Sequence, residues 1–140
     1  MTLAEEMALY ESARRVRREL IASAHAASPA IIVVGYGRET LLIVTPEIGH
    51  DGVRATQLDH DGPTGHISAS DVAKLLIRID EEYRPTAARP ATEDEVIAWT
   101  STPEFQRGAE HVALVQRENA GRVRSSEAFD HSMSVNKGRG

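Results

Sequence analysis

Ala30-Ile31-Ile32-Val33-Val34-Gly35-Tyr36-Gly37-Arg38-Glu39-Thr40-Leu41-Leu42-Ile43-Val44-Thr45 decides the fold. Two runs rich in β-branched residues flank a short turn that holds two glycines, which is the pattern of a β-hairpin. Neither run alternates apolar with polar residues. Strands of that kind are covered on both faces, here by helices of the same chain or by a partner's sheet. The glycines also suggest a phosphate loop, but a third glycine or a Gly-Lys-Ser/Thr ending is missing. A strand also follows where such a loop needs a helix N-terminus.

Before the hairpin, Leu3, Met7, Tyr10, Ala13, Val16, Leu20 and Ala24 recur at steps of three and four. This spacing predicts an amphipathic helix over 3–26 with those residues on its core face. Thr2 suits the N-cap, and Glu5 and Glu6 suit the positive end of the helix dipole. Pro29 ends the pattern.

After the hairpin, Val53 to Leu58 alternates and reads as a third strand. Asp61-Gly62-Pro63 is a turn, and Gly65-His66-Ile67 is a short return strand. Ser68 or Ser70 then caps a helix ending at Arg84, ahead of Pro85, with Val72, Leu75, Leu76, Ile79 and Tyr83 facing inward. Residues 84–91 read as a semi-rigid connector. Thr92-Glu93-Asp94-Glu95 is a capping box opening a short helix to about Thr100. Thr102-Pro103 opens a last helix with Phe105, Ala109, Val112 and Val115 buried, stopping at Asn119-Ala120-Gly121.

The expected fold is therefore α+β and two-layer: an N-terminal helix, a three- to four-stranded antiparallel sheet, then helices, with an extended C-terminal tail. Residues 1–120 form a single domain and 121–140 a polar tail. The length of 140 residues suits one core. With 41% apolar and 26% charged residues the chain lies far from the disordered corner of composition.

Composition also narrows function. Aromatic residues make up 4% of the chain, few for stacking on bases or sugars. Residues 1–119 hold 12 Lys/Arg against 19 Asp/Glu, and residues 120–140 hold 4 against 2. The acidic body argues against a surface made for DNA or anionic lipid. The absence of cysteine excludes disulfides, thiolate metal sites and a cysteine nucleophile. A chain without a long apolar run, with Glu5 and Glu6 near its start, is expected to be cytoplasmic and without a membrane anchor.

Two clusters carry potential chemistry. His50, Asp51, Asp59, His60, Asp61 and His66 are cation ligands by type, although in a strand Asp59 and Asp61 share a face opposite His60. Two Asp-Gly pairs are also ordinary turn chemistry. No metal and no cofactor is therefore assigned. Arg14, Arg15, Arg17 and Arg18 set four guanidinium groups on the first helix, and Arg122 and Arg124 extend them into the tail. Glu11 and Glu19 lie at i,i+3 and i,i+4 spacings that partly neutralise them. No nucleophile motif occurs, so no enzyme class is supported and no catalytic residue is named.

The leading expectation is a non-enzymatic accessory or regulatory protein of the kind bacteria and phages encode. It would bind or inhibit a protein partner, as a homodimer. A nucleic-acid-associated protein using the Arg14–Arg18 helix and tail is the alternative, and a metal-dependent enzyme using residues 50–66 the second.

Overall fold

The computed structural model describes the backbone of residues 1–49 and 51–139 and the side chains of residues 1–49 and 51–121. The elements in order are α1 (Leu3–Ala27), β1 (Ala30–Gly35), β2 (Arg38–Pro46), β3 (Val53–Asp59), β4 (Gly62–Ala69), α2 (Val72–Tyr83), β5 (Ala87–Pro90), α3 (Glu93–Thr100) and α4 (Pro103–Arg139). The α+β class and the helix–sheet–helices order are as the sequence predicts. All strand pairings are antiparallel, in the order β4-β3-β2-β1-β5.

The hairpin has a two-residue turn. Tyr36 and Gly37 both take positive φ, 55° and 72°, so Gly35 pairs with Arg38 and the strands follow their natural twist. Its alternate residues enter different cores. Ile31, Val33, Leu42 and Val44 point to one face, where Ile21 and Ala24 of α1 and Leu75 and Ile79 of α2 cover them. Ala30, Ile32 and Leu41 point to the other, under Trp99 of α3 and Phe105 of α4. Both faces of the sheet therefore carry helices of the same chain, which adds a layer to the two expected and accounts for the unbroken apolar runs. No partner sheet is needed to cover them.

Within residues 84–91, where a connector is expected from sequence, Ala87–Pro90 form the fifth strand, β5, on the edge beside β1. Two prolines obscure it. Pro85 is fully buried at the entrance and Pro90 ends the strand at the sheet's margin, where a missing N–H costs no ladder bond. The cap of α2 is Asp71, whose carboxylate accepts from the Lys74 N–H at 2.8 Å, in place of the expected Ser68 or Ser70. Thr2, the Thr92–Glu95 capping box and Thr102 cap α1, α3 and α4 as the sequence predicts.

Two departures concern the long helices. α4 does not stop at Asn119-Ala120-Gly121, since its backbone is helical through Gly121; an interior glycine costs a helix only about 1 kcal/mol. Its expected inner face fades outward, with Phe105 buried, Ala109 and Val112 half-buried and Val115 exposed. In α1 the expected core face is largely uncovered. Ile21 and Ala24 are its buried residues, whereas Leu3, Met7, Tyr10 and Val16 are 72%, 58%, 54% and 53% exposed.

Candidate functional site

The turn between β3 and β4 holds three of the sequence-selected residues. Asp59 ends β3, and His60 and Asp61 make the turn. Gly108 allows the turn to lie directly against α4, since a Cβ there would stand 1.7 Å from the Asp61 carbonyl oxygen. On its other side the Trp99 indole N–H donates to the Asp59 carbonyl at 2.9 Å, and the imidazole of His60 stacks on the indole with centroids 3.9 Å apart. Trp99 thus fixes both backbone and side chain of the turn.

A cavity of about 680 Å³ opens here among Arg38, Glu39, Asp59, His60, Asp61 and Glu104. Arg38 reaches Asp59 at 3.4 Å and His60 reaches Glu39 at 3.9 Å, both on the solvent side. The His60–Glu39 separation exceeds the 2.6–3.2 Å or so over which an acid–base pair exchanges a proton.

The other members of the Asp/His segment are elsewhere. Asp51 and Asp59 flank β3 at its two ends, roughly 25 Å apart at the rise of a strand. His66 lies along β4, paired with Thr56. His50 lies outside the described residues. Among the described residues, no three His, Asp or Glu side chains converge to hold a metal ion. β3 thus holds Asp51 apart from Asp59, His60 and Asp61.

The arginines of α1 are engaged close to home. Arg17 donates through Nε to Oδ1 of Asp80 at 2.6 Å, and Nε of Arg18 lies 3.7 Å from Oδ2. Asp80 is 1% exposed and sits in α2 beside Ile79, so these contacts lock α1 onto α2. A buried carboxylate needs such partners, because removing it from water costs several kcal/mol unless opposite charge and hydrogen bonds compensate. Arg14 lies 3.8 Å from Glu11 and 5.5 Å above the Tyr10 ring. Arg15 is the member of the cluster without an ion pair among the described residues. Arg122 and Arg124 lie outside the described side chains. Sequence reasoning missed Asp80, although its signal was present: four residues beyond Leu76, it falls on the apolar face of α2.

Three further groups have displaced titrations. Burial pushes the Tyr83 hydroxyl up to about 12, partly opposed by the Gln57 amide that donates to it. The Arg54 hydrogen bond holds Glu47 below the usual carboxylate range, and the Arg89 hydrogen bond does the same for Glu95. Glu47 also accepts from Ser68 at 3.1 Å, and Glu95 closes the capping box, so both carboxylates tie neighbouring elements together.

Along α1, Leu3, Met7, Leu9, Tyr10, Val16 and Leu20 are between 37% and 72% exposed. Isolated exposed apolar side chains are commonplace, whereas contiguous exposed apolar patches are more frequent at interaction surfaces. No helix among the described residues is long and apolar enough to cross a membrane. No family model, curated protein or solved structure matches the chain.

Proposed function

We propose that this protein is a non-catalytic interaction module that docks a protein partner through α1. The observation that carries the reading is the apolar face written into α1 and left in water by the chain's own body. Six large apolar side chains on the outer five turns are exposed, while the same helix is pinned at its inner end by Arg17, Arg18, Ile21 and Ala24. A helix held rigidly at one end presents its free face at low entropic cost, which favours docking over collapse.

The discriminating variant replaces Leu3, Met7, Leu9 and Val16 together by Gln. All four are more than half exposed, so the fold and its unfolding midpoint are expected to survive, with each change within about 0.5 kcal/mol. Chemical crosslinking of tagged protein in its native cells is expected to yield a complex that the variant no longer forms, whether the partner is a second copy or another protein. The same crosslinked species from both proteins would reject α1 as the docking surface.

A further inference from the structure

We infer that the sheet carries a separate binding site for a neutral, hydroxyl-rich small molecule of monosaccharide size, where its face runs out beyond the end of α2. No residue of α1 lines it, so it stands apart from the docking role proposed above. The floor of the site continues the core. Thr40 pairs with Val33 and Gln57 with Leu42, and Val33 and Leu42 lie on the face that α1 and α2 cover. Directly opposed residues of an antiparallel pair share a face, so Thr40 and Gln57 extend that apolar face with polar groups. A Cβ on Gly35 would collide with the Tyr83 carbonyl oxygen, so the absence of one lets α2 finish hard against β1. That approach brings Tyr83 to Gln57, and a cavity of about 360 Å³ opens between them and Thr40, within the range of about 300–1,000 Å³ usual for small ligands.

Thr40 is the residue that points to a ligand. It is 5% exposed and lines the cavity, and its hydroxyl makes no hydrogen bond among the described residues. A buried hydroxyl left without a partner costs free energy that a valine of the same shape would not. Water or a ligand atom supplies such a partner, and the neighbouring groups distinguish the two.

Gln57 donates its side-chain N–H to the Tyr83 hydroxyl and keeps its carbonyl oxygen without a partner among the described residues. The Tyr83 hydroxyl accepts that bond and, pushed up to about 12 by burial, retains a proton of its own to donate. One cavity thus presents a hydroxyl that both donates and accepts, an amide acceptor and a phenol donor, all three uncharged. The matching chemistry is a set of hydroxyls, each able to donate and accept. A charged group would give up its hydration here for neutral partners. Charge is confined to the mouth, where Arg38 and Asp59 hold each other at 3.4 Å. Tyr36, 70% exposed in the hairpin turn, stands at the same mouth and offers a ring for the C–H face of a sugar.

The test titrates the isotopically labelled whole chain with glucose, galactose, mannose and ribose in turn, followed by amide NMR. At least one sugar is expected to shift the Gly35, Thr40, Gln57 and Tyr83 amides, with a Kd on the order of 1 mM for so small a ligand. Thr40→Val keeps the shape of the side chain and is expected to weaken binding about threefold to tenfold without lowering the unfolding midpoint. Tyr83→Phe keeps the ring and is expected to weaken it by a similar factor. Glu104→Gln, in the neighbouring cavity, is expected to leave the Kd unchanged.

No shift with any of the four sugars overturns the site and leaves water as the partner of Thr40. Shifts of the same amides by inorganic phosphate or by arginine, and by no sugar, overturn the neutral class of ligand. Sugar binding that neither Thr40→Val nor Tyr83→Phe weakens overturns this cavity as the place where it occurs.

Discussion

α1 and α2 carry the same sequence signal and end in opposite situations. Both repeat apolar residues at steps of three and four, and both lie on the same face of the sheet. The 12-residue α2 buries Leu75 and Ile79 completely and half-buries Leu76 and Tyr83. The 25-residue α1 buries Ile21 and Ala24. The difference is one of available surface: a five-stranded sheet beside a second helix offers α1 about two turns of contact. Amphipathicity thus states that a face must be covered, and the fold states by whom.

The sharpest way to break this comparison is to cut equivalent side chains on the two helices. Leu75→Ala empties a fully buried position and is expected to lower unfolding free energy by about 2–5 kcal/mol. Leu9→Ala removes the same atoms from a side chain 58% exposed and is expected to change it by less than about 0.5 kcal/mol when measured on monomer at high dilution. Urea titration of both variants measures the contrast. Equal losses would mean that the outer half of α1 is packed in solution even in the single chain.

A second variant tests the lock between the helices. Asp80→Asn keeps the size of the side chain but leaves Arg17 and Arg18 without their shared carboxylate. Losing one member of a buried ion pair costs about 3–5 kcal/mol. Arg17 and Arg18 are 21% and 34% exposed, so water relieves part of that, and about 2–3 kcal/mol is expected. Hydrogen exchange should place the loss in the inner turns of α1. A uniform loss across the sheet would contradict a lock confined to the two helices.

Much of the fold was legible because local signals agreed with their surroundings. The hairpin is dictated by its glycine turn and β-branched runs, and the caps at Thr2, Thr92 and Thr102 form as their spacing predicts. β5 was hidden because Ala87-Ala88-Arg89-Pro90 has neither β-branched residues nor alternation; it pairs with β1 because Pro85 anchors one end and the Ala91 N–H reaches the Ala30 carbonyl at 2.8 Å at the other. The site was less legible. Clustering in sequence suggested that residues 50–66 converge, whereas an intervening strand holds Asp51 and Asp59 apart. The contact of Arg17 with Asp80 spans 63 residues, so its pairing is not written locally, although the place of Asp80 on the apolar face of α2 marks it as a charge that needs a partner. Within the arginine run of α1, Arg17 and Arg18 meet a buried carboxylate on another helix that their spacing does not announce.

The smallest expected effect concerns how each helix ends on the sheet, and it reads out through pH. α2 finishes at Tyr83, whose half-buried hydroxyl accepts from the Gln57 side chain of β3; the start of α1 has no such anchor. Tyr83 titrates near 12 in the fold against about 10 in an unfolded chain. Below pH 10 both states hold the proton and the group leaves stability unchanged. Between 10 and 12 the unfolded chain releases the proton while the folded one retains it, so unfolding is favoured as pH rises. Tyr10 and Tyr36 are common to the wild type and Tyr83→Phe, so the difference between the two proteins isolates Tyr83. Urea midpoints measured from pH 9 to 11.5 are expected to fall more steeply for the wild type than for Tyr83→Phe. Parallel slopes would mean that the Tyr83 hydroxyl is as hydrated in the fold as out of it, and that α2, like the outer half of α1, leaves its end in water.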